Sequence, residues 1–63
     1  MEKLFKSAIK HGKRTPVTTL FVQNGFRIAM TDFNDVIFEK GDTKVNAHFD
    51  LNSNLKSVVV LQK

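Results

Sequence analysis

Apolar residues recur along this chain with two different spacings. Leu4, Phe5, Ala8 and Ile9 fall at i, i+1, i+4 and i+5, one stripe of a helix, with Lys3, Lys6 and Lys10 largely off it. The pattern predicts a helix over 2–11. Gly12 suits the position just past its end, and Lys10 and His11 lie in the turn that the helix dipole favours for cations. Ten residues barely hold a helix in water, so the stripe must pack on something. From Pro16 onward the spacing is that of strands, predicted over 16–23, 26–32, 35–40, 43–49 and 55–62. Asn24-Gly25 separates the first two and is a strong signal for a two-residue hairpin turn, which needs positive φ at both central residues. That hairpin would put Val17, Thr19, Phe21, Phe26, Ile28 and Met30 on one face, with Thr18, Leu20, Val22, Arg27, Ala29 and Thr31 on the other. Asp32-Phe33-Asn34-Asp35 breaks the pattern. Gly41-Asp42 marks a second turn and sets Glu39 opposite Lys44, an ion pair across strands. In that register Val36, Phe38, Val45, Ala47 and Phe49 share the apolar face, while Ile37, Glu39, Lys44, Asn46 and His48 share the other. Asp50–Asn54 is a polar turn. The last strand carries Val58-Val59-Val60-Leu61, apolar on both faces, and an edge of that kind aggregates unless it is covered or paired.

The predicted fold is mainly β: one domain over 1–63, a strongly bent five-stranded antiparallel sheet with an N-terminal helix. A chain of 63 residues buries only about 60% of its unfolded surface and is marginal alone. There is no Cys, which removes disulfides and thiolate metal sites, and two His without spaced partners give no metal signature. Support from further copies of the chain is the remaining route. The absence of Cys suits a reducing compartment. No apolar run approaches the ~18 residues of a membrane span, and the N-terminus has no signal-peptide core. Cytoplasm is the expected location, with no membrane partner.

Charge is unevenly spread. The net value is +4, yet residues 1–14 hold Lys3, Lys6, Lys10, Lys13 and Arg14 against Glu2 alone, whereas 32–50 hold five acids against Lys40 and Lys44. A cationic N-terminal patch fits phosphate contacts; a solvated helix face carries the same charges for solubility alone. Catalysis has no motif behind it: no HExxH, no glycine-rich phosphate loop, no GxSxG, and Asp32 with Asp35 reads as turn chemistry. No enzyme activity, cofactor or small-molecule substrate is expected. His48 lies on the polar strand face, where it is a surface residue or an RNA-contacting one.

Several residues together resemble the Hfq family of bacterial Sm-like RNA chaperones: Phe5 and Ile9 in the helix, Pro16-Val17-Thr18, Asn24-Gly25-Phe26-Arg27-Ile28, Phe33-Asn34, and Ser57-Val58-Val59. The resemblance spans nearly the whole chain and requires small length adjustments in the middle. It implies an Sm-like sheet, a cytoplasmic ring of identical subunits (most often six) joined by the last strand of one copy and the fourth strand, 43–49, of the next, and binding of single-stranded A/U-rich RNA with promotion of RNA–RNA annealing in post-transcriptional regulation. It also implies an adenine-binding face at Leu20, Phe26, Arg27 and Ile28, giving oligo(A) preference over oligo(U). A pore-type face would fall at Phe33, His48, Asn52 and Ser53. The family's Tyr-Lys-His triplet at the pore has no counterpart here; Leu51-Asn52-Ser53 or His48 occupies its place, and neither restores the Lys. Two other readings fit the composition: a small basic DNA-binding regulator of phage or plasmid type, and an SH3-like interaction module that inhibits a host enzyme. The cations offered by the helix suit phosphate more than base edges.

Overall fold

The computed structural model describes residues 2–62. In chain order the elements are α1 (Glu2–His11), α2 (Arg14–Gln23), β1 (Arg27–Thr31), β2 (Asp35–Lys40), β3 (Thr43–Phe49) and β4 (Leu55–Gln62). The four strands form one open antiparallel sheet in the order β1-β2-β3-β4, a simple meander, and the two helices cover one face.

The alternation read from the sequence sets the sheet. β2, β3 and β4 have the expected bounds, Glu39 stands opposite Lys44, and Val36, Phe38, Val45, Ala47 and Phe49 are all buried on the inner face. The outer face carries Asp35, Ile37, Glu39, Asn46, His48 and Val59 and is uncovered among the described residues.

The expected strand over 16–23 is instead the helix α2, so the sheet has four strands and not five. Val17, Leu20 and Phe21 stand at i, i+3 and i+4, and Val17 and Phe21 are buried against the sheet. Pro16 sits in the first helical turn, where its missing N–H costs nothing. Asn24-Gly25 is the end of that helix and not a hairpin. Asn24 has φ −95° and only Gly25 is positive, at +89°. The N–H of Phe26 donates to Phe21 O (3.1 Å) and that of Gly25 to Val22 O (3.0 Å), the paired bonds of a Schellman ending. Its usual apolar contact is present too: the Phe26 ring meets the Phe21 ring edge-on at 5.3 Å. α1 ends on Gly12, φ +74°, whose N–H returns to Ala8 O.

Phe21 is the pivot of the core. It stacks on Phe38 at 4.3 Å and lies 6.3 Å from Phe5. Leu4, Phe5 and Ala8 of α1 pack inward as expected, but Ile9 is 62% exposed. α1 packs chiefly on α2 and β4, and three residues suffice for that narrow contact.

β3 is paired on both sides within the chain, with β2 and with β4, so the edge that a neighbour's last strand would need is occupied. The sheet's free edges are β1 and β4. Among the described residues the register slips fall on these two strands: Ala29 is the extra residue in β1, and Lys56 and Leu61 are extra in β4. Bulges and a Lys on an edge bend it away from casual pairing. No helix among the described residues is long and apolar enough to cross a membrane.

Candidate functional site

A meander places the β1–β2 and β3–β4 connections at the same end of the sheet. The α1–α2 junction is tied to that end as well. Leu55 N–H donates to Gly12 O, Arg14 N–H donates to Ser53 O (2.9 Å), and Lys13 bridges Asn54. Three connections therefore converge: residues 12–13, 32–34 and 50–54.

Arg14 joins two of them, holding 50–54 through its backbone N–H and 32–34 through its guanidinium. Its Nη1 donates to Phe33 O (2.7 Å) and its Nη2 to Asp32 O (2.9 Å), with the guanidinium 5.5 Å from the Phe49 ring centroid. Asp32 Oδ1 accepts the N–H of Phe33 at 2.7 Å, and Asn34 O accepts the N–H of Phe49 at 2.6 Å. Phe33 is thus fixed by its backbone while its ring is open to solvent, 76% exposed. Across the junction, Asp50 Oδ1 accepts the backbone N–H groups of Asn52 (2.8 Å) and Asn54 (2.9 Å), and Asp50 Oδ2 accepts from Asn54 Nδ2 (3.4 Å). That network presents Leu51, 79% exposed. Lys13 joins the two halves: it precedes Arg14 and its Nζ donates to Asn52 O at 3.4 Å.

The outer face adds one row at the same end. Asp35, His48 and Ser57 lie side by side on β2, β3 and β4. Asp35 Oδ1 meets His48 Nδ1 at 2.9 Å and accepts from Asn46 Nδ2 at 3.3 Å. The hydrogen bond to His48 holds the Asp35 carboxyl below its ordinary value, against a smaller opposing effect of burial.

The residues expected at a pore-type face, Phe33, His48, Asn52 and Ser53, therefore all gather at this end, together with Lys13 and Arg14. Lys10 lies in the last turn of α1, next to it, whereas Lys3 and Lys6 run away along the helix. The expected adenine-binding face is not assembled. Phe26 is 5% exposed and spends its ring on Phe21, Leu20 packs against the core, and Ile28 faces α2. Arg27 stands on the outer face at the far end of the sheet, ion-paired with Glu39. That pair, followed by Lys44, keeps the Glu39 carboxyl low. The reason is the helix: without a strand at 16–23, Leu20 and Phe26 turn inward. Two residues were missed in the sequence, Leu51 and its organiser Asp50. The Asp50-x-Asn52-x-Asn54 spacing is the signal that could have found them, because an Asp that caps its own loop's N–H groups makes the intervening side chains stand out.

The end offers an exposed aromatic, an exposed aliphatic, Asn and Ser side chains, and cations around them. Glu39 is ion-paired with Arg27 and Lys44 and Asp50 with Lys56, while Asp35 is hydrogen-bonded to His48. The α1 lysines and Lys13 are solvent-exposed. No protein-family model, curated protein or solved structure matches this chain.

Proposed function

We propose that the chain binds single-stranded RNA at its loop end, as an Hfq-like chaperone would, and that it does so with further copies of itself. The observation that carries the reading is the display of Phe33, its backbone held by Arg14 and its ring open to solvent, at the same end of the sheet as Lys13, whose Nζ reaches Asn52 O. A base stacks on an exposed aromatic ring, and the adjacent cations neutralise the backbone phosphates. Single strands suit such an end better than duplexes, because only unpaired bases can turn a face to a ring. The annealing role follows from the same chemistry, since stacking and phosphate contacts hold a strand without occupying its base-pairing edges. The Sm-like ring belongs to the same proposal, and its joints would have to use the free edges of β1 and β4.

The DNA-regulator reading has less behind it. α1 shows lysines to solvent and little that reads base edges, and α2 is packed on the sheet. Anisotropy titrations with labelled oligo(A), oligo(U) and duplex DNA separate the two. Single-stranded RNA is expected to bind more tightly than the duplex, with affinity falling steeply as salt rises. Phe33→Ala is expected to lose about tenfold, the stacking of one base, while its melting temperature stays put because the ring is exposed. Undiminished binding in both Phe33→Ala and Lys13→Ala would overturn the site.

A further inference from the structure

α2 does not close onto the edge strand. Its buried side points Val17 and Phe21 at the sheet centre, while Thr15, Thr18 and Thr19 look toward β1. On β1, Ile28 and Thr31 share the inner face, and every residue of the strand is exposed. Between them lies an open groove of about 290 Å³ with Val36 at its floor and Arg14 at one end.

We propose that this groove is a nucleobase subsite, a deepening that rests on the RNA reading above. Two features favour a base. Ile28 and Val36 make its surface apolar and four threonines, Thr15, Thr18, Thr19 and Thr31, line its sides, a lining that suits a planar heterocycle with apolar faces and hydrogen-bonding edges. The groove is also continuous with the loop end. Arg14 lines it and holds the Phe33 carbonyl, and Thr31, which also lines it, is two residues before Phe33. A strand stacked on Phe33 can therefore turn its neighbouring base into the groove, with the phosphate between them near Arg14 and Lys13. An extended polypeptide adding to the β1 edge is the competing occupant. A strand added there pairs with the β1 backbone at the margin of the sheet, whereas the groove's threonines stand on α2 and on the inner face of β1.

The test titrates a short oligo(A) carrying one 2-aminopurine against the wild type, Thr18→Phe, Thr18→Val and Phe33→Ala, with amide shifts recorded by NMR during adenosine monophosphate addition. Thr18→Phe fills the groove from an accessible helix position, and Thr18→Val removes a hydroxyl while keeping the shape, so a folding defect in the first leaves the second informative. The expected result is a loss of about tenfold for Thr18→Phe, one stacked base, a smaller loss for Thr18→Val, and nucleotide-induced shifts at Ile28 and Thr31. Loss in Phe33→Ala with full affinity in both Thr18 variants and no shifts at β1 overturns the groove and leaves the loop-end site standing. No binding by the wild type overturns both. A valine-rich peptide that shifts β1 where the nucleotide does not assigns the groove to an added strand and overturns the base.

Discussion

Asp50 shows how much one side chain can organise. Its two oxygens gather two backbone N–H groups and a side-chain amide from the 50–54 loop and face Lys56 Nζ at 3.5 Å. The Asn54 backbone bond is the main reason its carboxyl is held below the ordinary value. Asp50→Ala is expected to lower the melting temperature and to weaken RNA binding together, because Leu51 and Asn52 lose their support. Phe33→Ala should change binding only. Equal melting temperatures for Asp50→Ala and wild type would show that the loop is held by its backbone alone. The same residue-level logic gives a pH dependence. Asp35, Glu39 and Asp50 all have lowered values in the fold. A carboxylate with a depressed folded value contributes its full stability above its unfolded value, about pH 4, and loses it as pH falls through the folded value. Thermal melts are therefore expected to decline as the pH is lowered below about 4, through these three groups. A melting temperature that holds from pH 4 down to pH 2 would show that they contribute nothing.

At the scale of elements, α2 is the informative one. Residues 16–23 satisfy both periods: alternation puts Val17, Thr19 and Phe21 on one face, and helical spacing joins Val17, Leu20 and Phe21. Four of those eight residues are β-branched, which favours strand, and Asn-Gly serves a hairpin and a helix ending equally. What decides is tertiary. Phe21 has to reach Phe38, Phe26 and Phe5 at once, and only the helix lets it do so while Phe26 closes the Schellman turn. By contrast β2 and β3 were legible because alternation and the Glu39–Lys44 pair fix one register. The loop-end residues were legible as types, but their convergence was not, since it depends on a meander and on the α1–α2 junction docking at 53–55. A substitution of opposite sign in the two structures tests α2. Thr19→Ala, at an exposed position, is expected to stabilise the protein by about 0.5 kcal/mol, as Ala is the better helix former. A strand at 16–23 would be weakened by the same change. Phe21→Ala should cost about 3 kcal/mol or more, as a fully buried ring with three aromatic neighbours.

At the scale of the molecule, the question is how a chain this small secures itself. Its mass is 7.2 kDa and it has no disulfide. Its core is essentially one layer of Phe, Val and Ala between two short helices and a sheet. Val59 and Leu61 remain half-exposed on β4, and Met30 and Ile28 on β1, so apolar surface lies along both free edges. A second copy can cover both kinds of edge at once if β4 of one chain lies beside β1 of the next. That joint is head-to-tail, and it closes into a ring when its rotation divides a full turn. A two-fold pairing of β4 with β4 would instead stop at two chains and leave β1 bare. The bulges at Ala29, Lys56 and Leu61 restrict pairing to the regular stretch Ser57–Val60, so the joint should be specific and sensitive to its centre. Light scattering at tens of micromolar is expected to give a mass of more than two chains. Val59→Lys, which sets a charge in the middle of that stretch, should return the protein to 7.2 kDa without unfolding it. A wild-type protein that stays at the single-chain mass would remove the ring, and a wild-type mass of two chains would favour the two-fold joint. In either case the loop end, built within one chain, keeps its own test.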